Sequence, residues 1–362
     1  MKNITPWVQT ALRLRARMQR QTDAEEALSP YHPIGFCGAV QRPGEAPVYR
    51  WVGNARMDGA PVTRDTIFRV ASVSKIFVAA AAVRLVRQRK LSLDGDISEA
   101  LGFDVGRAIT LRQLLTHTAA LDDTRAYDRA IAMDILPPLD SVLPNSFLPY
   151  QPGTRFRYSN LGAGVAGMLV EAASGMLFDD YVCASFFKPH GIDASFHPQR
   201  ILHKERMANC YRVPGETLAY DAQAIAKQPL DETPDPLRHY NVPAGKLMIS
   251  APDLLDALGR LYREDSELFV RQAQIGSVSC DSGRGLGLSI APEGLFRRDR
   301  WFWGHQGVAY GALCEAWLDA EDATAVVMLT NGMRLPSIGP LYLGGQDGIR
   351  TMLDLAGGAL VY

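Results

Sequence analysis

The 362-residue chain carries 38 Lys and Arg against 39 Asp and Glu, a formal charge of −1, with 47% hydrophobic and 21% charged residues. That balance describes a soluble globular protein with a sizeable core, long enough for two domains or one large domain with an insertion. It excludes the global basic field that draws proteins to nucleic acid.

No stretch is long and apolar enough to span a bilayer, so neither nucleic acid nor a membrane is an expected partner. The first 25 residues, punctuated by Arg13, Arg15, Arg17 and Arg20, lack the apolar run of a secretory signal. Cys37, Cys183, Cys210, Cys280 and Cys314 are scattered without paired spacing, which fits free thiols in a reducing compartment and makes the cytoplasm the expected location. No two Cys or His residues show ligand spacing and no Gly-rich phosphate loop occurs, so neither a metal nor a cofactor is expected.

Residues 6–20 have helical apolar spacing through Trp7, Val8, Leu12, Leu14 and Met18. Residues 34–40 and 48–52 read as a strand hairpin, and 66–70 as a further short strand. A helix is expected from Ser72 to about Lys90, where Arg84, Arg87, Arg89 and Lys90 form a solvated basic end that complements the helix dipole. Helical patterns follow at 111–116 and 161–174 among Pro-containing loops, and again at 252–263. Beyond these the pattern turns to β at 285–290, 311–318 and 323–329, with a last helix at 346–356. This order predicts an α/β domain assembled from both chain ends, residues 1–74 and 241–362, carrying a helical and loop-rich lobe at 75–240.

Ser72-Val-Ser-Lys75 opens the long helix and puts a hydroxyl and an amine one turn apart on the same face. A serine hydroxyl is a poor nucleophile until a base takes its proton, and a buried lysine held neutral supplies one. A second match, Ser185-Phe-Phe-Lys188, precedes Pro189-His-Gly191 at the end of a helical stretch and reads as structural. Tyr158-Ser-Asn160 places a phenol and an amide at a helix entry. His305-Gln-Gly307 lies just before the strand expected at 311–318. Trp301-Phe-Trp303 reads as core packing.

With these three motifs in this order, the chain resembles the serine β-lactamase and penicillin-binding-protein-like hydrolases, in particular the class C β-lactamase, DD-carboxypeptidase and family VIII esterase group. Residues 114–121, 152–158 and 242–247 look like flanking stretches of that family. The resemblance implies an antiparallel sheet flanked by N- and C-terminal helices with an all-helical insertion lobe. It also implies Ser72 as nucleophile and Lys75 with Tyr158 as a coupled base, Tyr158 being the favoured proton shuttle. Lys75 and His305 would stabilise its phenolate by positive charge. The oxyanion would be held by the backbone N–H groups of Ser72 and Val308, with Asn160, His305 and Gly307 facing substrate.

The family often has threonine in the middle of the His-x-Gly triplet, where this chain has Gln306, which weighs against β-lactamase or DD-carboxypeptidase activity. Arg284, Arg297 and Arg298 read as solvated surface cations rather than carboxylate contacts. His117 reads as a brace in the helical lobe. The expected partner is a small ester, amide or D-amino-acid peptide, hydrolysed through an acyl-enzyme on Ser72. A second class of function, a penicillin- or peptide-binding sensor without turnover, would keep the fold but has no need of all three catalytic side chains.

Overall fold

The computed structural model describes residues 28–124, 127–128, 136–272, 283–338 and 341–355. The helix expected at 6–20 and Cys280 lie outside them. Strands β1 (Gly35–Gln41) and β2 (Val48–Gly53) form the expected hairpin, with Val40 opposite Val48. After the short β3 (Ile67–Arg69), a tight helical turn, Ala71–Ser74, leads into α1 (Lys75–Arg87).

The helical segment that follows contains α2 (Leu111–Leu115) and α3 (Asn160–Ser174), and also a two-stranded ribbon of β4 (Cys210–Arg212) and β5 (Thr217–Tyr220). Next come β6 (Met248–Ser250), which pairs with β3, and α4 (Ala251–Glu264). Five strands follow: β7 (Gly283–Arg284), β8 (Ser289–Ile290), β9 (Phe302–Ala309), β10 (Ala312–Asp319) and β11 (Ala325–Thr330). Helix α5 (Leu343–Leu355) comes last.

The seven-stranded sheet has the order β2-β1-β11-β10-β9-β8-β7, every neighbour antiparallel. Both chain ends therefore meet in it, because β11 lies between β1 and β10. All six residues of β11 are buried, since the sheet is covered on both faces. Val327 and Leu329 pack with Leu254 and Leu258 of α4. Val326 and Met328 point the other way, against Ile349, Met352 and Leu353 of α5.

Helix α1 is the axis of the lobe. Ala79, Ala80, Ala81 and Ala82 are all fully buried, so neighbours enclose it on every side. Helix α3 packs against it, capped at its start by Ser159 Oγ, which accepts from the Gly162 N–H at 2.9 Å. A β-carbon on Gly164 would lie 2.0 Å from the Tyr240 carbonyl oxygen, so this helix reaches the 240–244 loop only because that position is glycine.

Three expectations need correction. Residues 285–290 are not one strand, because Gly287 takes φ +71° and turns the chain between β7 and β8. His305 does not precede a strand but lies inside β9. The basic end of α1 is not simply solvated: Arg84 donates to both carboxylate oxygens of the fully buried Asp265 at 2.7–3.1 Å, and Arg87 reaches Asp265 and Glu267. These pairs tie α1 to the end of α4.

Candidate active site

Ser72 sits in the turn before α1, and that turn is held from two sides. Ser74 Oγ donates to the Ala71 carbonyl at 2.6 Å and accepts from the Leu247 N–H at 3.1 Å. The Val70 N–H bonds the Leu247 carbonyl at 2.9 Å. On the remaining side β9 passes so close that a β-carbon on Gly307 would lie 2.2 Å from the Val70 carbonyl oxygen and 3.0 Å from the Ser72 nitrogen. Gly307 is thus required for the strand to cross the serine.

Lys75 and Tyr158 converge on the Ser72 hydroxyl. Lys75 Nζ donates to Ser72 Oγ at 3.0 Å, to Asn160 Oδ1 at 2.9 Å and to the Ala244 carbonyl at 2.5 Å. Tyr158 donates its hydroxyl to Ser72 Oγ at 2.8 Å. Burial pushes the Lys75 amine down to about 7, with Arg69 and Arg284 pushing the same way and Asp123 opposing them. The amine therefore changes charge near neutrality, where a proton acceptor is useful.

The Tyr158 ring is set by His117, whose ring centre lies 4.5 Å away. His117 is buried, accepts from the Ser159 N–H through Nδ1 at 3.3 Å and is held well below the usual imidazole range by burial and nearby cations. It braces the tyrosine and does not line the cleft.

His305 is buried 6.2 Å from the Tyr158 ring, and burial together with Lys75 and Arg284 lowers it to about 3. It is neutral, which corrects the expectation that it lends positive charge to a phenolate. Its Nδ1 donates to the Gln306 carbonyl, leaving Nε2 as an acceptor.

Several residues of the site carry no sequence motif. The Asp123 carboxylate accepts from Ser159 Oγ at 2.6 Å, from the Asn160 N–H at 2.6 Å and from the Leu161 N–H at 3.2 Å, fixing the entry of α3 and with it Tyr158 and Asn160. Its only signal was an acid just beyond the family-like residues 114–121. Gln306 points across the ladder and donates to Glu315 Oε1 at 2.5 Å, while Trp317 Nε1 donates to Oε2 at 2.6 Å. Burial raises Glu315 to about 8, so it is a neutral acid at pH 7.

A cleft of about 750 Å³ opens over Ser72 and is lined by Tyr158, Asn160, His305 and Val308. Arg284 lines it too, stacked 4.6 Å from the Phe156 ring, and is therefore not a surface cation. Arg297 pairs with Asp322, its side chain 10% exposed, and Arg298 lies beside Asp299. Trp301 and Trp303 do not reach the cleft, and Trp303 packs on Phe269. Among the described residues no cluster of three or more His, Cys, Asp or Glu could hold a metal ion. No single described helix is long and apolar enough to cross a membrane.

The beta-lactamase family model matches residues 25–340 of the chain. A probable fimbrial assembly protein, FimD serogroup H1 of Dichelobacter nodosus, is 27% identical over 274 residues, covering 72% of this chain and 65% of that one. Esterase EstB of Burkholderia gladioli is 32% identical over 203 residues, covering 50% of this chain and 51% of that one. The chain thus spans about half to two thirds of the length of these curated relatives. D-amino acid amidase from Ochrobactrum anthropi SV3, solved with L-phenylalanine, superposes with a TM-score of 0.71 at 20% identity, over 92% of this chain and 98% of that one, which shows a common fold.

Proposed function

We propose, from the premise that this chain belongs to the beta-lactamase family of hydrolases, that it cleaves small esters or amides, D-amino-acid derivatives among them, through an acyl-enzyme on Ser72. The observation that carries the reading is the double approach of the Lys75 amine and the Tyr158 hydroxyl to one serine oxygen on the floor of an open cleft. A structural serine has no use for two proton carriers.

In the proposed reaction Ser72 Oγ attacks the scissile carbonyl carbon as its proton passes to Tyr158. As a neutral amine Lys75 gives its two N–H donors to Asn160 Oδ1 and the Ala244 carbonyl and turns its lone pair to the serine, whereas as an ammonium it gives all three N–H donors to its contacts and keeps no lone pair. Tyr158 is then the acceptor, and Lys75 holds its charge in place. The ammonium–phenolate and amine–phenol forms of this dyad carry the same number of protons and titrate together.

The tetrahedral oxyanion is received by the backbone N–H groups of Ser72 and Val308, which Gly307 brings together. Tyr158 returns the proton to the departing alkoxide or amine as the carbonyl–heteroatom bond breaks. Water then attacks the ester of Ser72, giving its proton to the same dyad, which passes it to the Ser72 oxygen as the carbonyl–Oγ bond breaks and the acid is released. Asn160, with Oδ1 on Lys75, has its Nδ2 left to donate to the substrate carbonyl side.

Gln306 weighs for esters and amides over β-lactams and DD-peptides, since it offers no threonine hydroxyl at that position and one of its two amide N–H donors is taken by Glu315. A reducing compartment such as the cytoplasm fits the cysteines Cys37, Cys183, Cys210 and Cys314, free and buried among the described residues. The test is intact-protein and peptide mass spectrometry after brief exposure to p-nitrophenyl butyrate. The expected result is one butyryl group on Ser72, steady turnover, and neither in Ser72→Ala. Turnover by Ser72→Ala at the wild-type rate would overturn the reading, and a single burst without turnover would favour a sensor.

A further inference from the structure

We propose that Arg69 is the anchor for a free carboxylate on the substrate, so that the cleft selects acidic esters or amides over neutral ones. The proposal rests on the reading of Ser72 as the nucleophile and names the substrate class for that site.

Arg69 ends β3, three residues before Ser72, and lines the same cleft. It is 8% exposed, yet no carboxylate among the described residues pairs with it, and its Nε is buried without a hydrogen-bond partner. Burying a guanidinium without a counter-charge is costly, and a guanidinium cannot shed its proton to escape the cost. What holds it is a pair of aromatic faces: the guanidinium carbon lies 4.7 Å from the Tyr310 ring centre and 5.2 Å from that of Tyr220. The two rings pack against each other, centres 5.6 Å apart, so both lie to one side of the guanidinium and the side away from them is left for a planar, bidentate ligand, the geometry a carboxylate offers.

The position suits a substrate. Tyr310 follows β9 directly, two residues beyond Val308, so a chain lying along the edge of β9 from the proposed oxyanion site runs toward Arg69. Arg212, Lys246 and Arg284 also line the cleft, against the acids Asp128 and Glu315. With Arg69 that makes four cations against two acids, and burial raises Glu315 above the usual carboxylate range, so the cleft favours an anion.

The test compares two matched ester pairs. One pair carries the acid on the acyl side, mono-p-nitrophenyl adipate against p-nitrophenyl hexanoate. The other carries it on the leaving group, 3-acetoxybenzoate against phenyl acetate. In at least one pair the wild type is expected to prefer the acidic member in kcat/KM. Arg69→Gln is expected to lower that preference about tenfold or more, mainly through KM, the loss expected of a charge-assisted contact. Taking the ratio cancels any general effect of Arg69 on Lys75. No acidic preference in either pair, or a ratio that Arg69→Gln leaves unchanged, would overturn the proposal. If Arg69→Gln does not fold, Arg69→Lys carries the same comparison, because an ammonium cannot form the bidentate contact. Calorimetric binding of adipate to Ser72→Ala, present with Arg69 and lost in Ser72→Ala/Arg69→Gln, reads the anchor without turnover and so separates its failure from that of the nucleophile.

Discussion

Tyr158 stands 86 residues from Ser72 in the chain, and its hydroxyl donates to the serine oxygen at 2.8 Å. The contact joins the entry of one helix to the entry of another, and both ends are pinned from behind. Asp123 gathers the N–H groups that open α3, and Ser74 locks the turn that opens α1. A hydroxyl fixed on both sides needs little reorganisation for the proton transfer proposed above.

Tyr158→Phe keeps the ring against His117 and removes only the hydroxyl. Acylation by p-nitrophenyl butyrate is expected to fall by about 10²–10⁴-fold, the usual loss for a general base, with the circular dichroism spectrum unchanged. Stopped-flow release of nitrophenol measures it. A rate equal to wild type would move the base role to Lys75.

The depressed Lys75 amine predicts the pH profile. Below about 7 the dyad is fully protonated and inactive, and above it one proton has left and the base is available. The kcat/KM for a neutral ester should therefore rise with pH to a plateau, with its midpoint near 7. His305, lowered to about 3, and His117, also held neutral, add no further step in the neutral range. A profile that falls as pH rises through neutrality would contradict this assignment.

Gly307→Ala inserts a methyl group where β9 meets the Val70 carbonyl and the Ser72 nitrogen. The strand must retreat, which is expected to cost about 1–3 kcal/mol of stability, as overpacking does. Activity is expected to fall by at least about 100-fold, because the oxyanion donors separate. Urea unfolding and ester turnover read the two effects independently, and near-wild-type turnover would show that the crossing does not matter for catalysis.

Asp265→Ala strips Arg84 and Arg87 of a shared, fully buried partner far from the cleft. The expected loss is about 2–3 kcal/mol, just below the cost of breaking a wholly buried pair, because the 20%-exposed Arg84 side chain keeps some water. Urea denaturation measures it, and ester hydrolysis well below the transition is expected to stay near wild type.

The motifs that meet at Ser72 were legible because each is local: a hydroxyl and an amine one turn apart, a phenol at a capped helix entry. Strand β9 was not, because Phe302–Ala309 holds two glycines, a histidine and a glutamine, a poor intrinsic strand that exists through its pairing with β10. The break at Gly287 was hidden in an apolar run, and only its positive φ reveals it. Asp123, Arg69 and the Arg84–Asp265 pair were out of reach for another reason. Their partners lie dozens to hundreds of residues away, and no periodicity encodes such distances. The charge state of His305 likewise follows from its burial, which its triplet does not announce.

The crossing of Gly307 over Ser72 also sets the order in which reactivity can arise. Synthesis delivers Ser72, Lys75 and Tyr158 before Phe302–Ala309, the strand that crosses the serine. With Ser72 as the proposed nucleophile, its reactivity waits for that strand, and hydrolysis then reports that these distant segments have met.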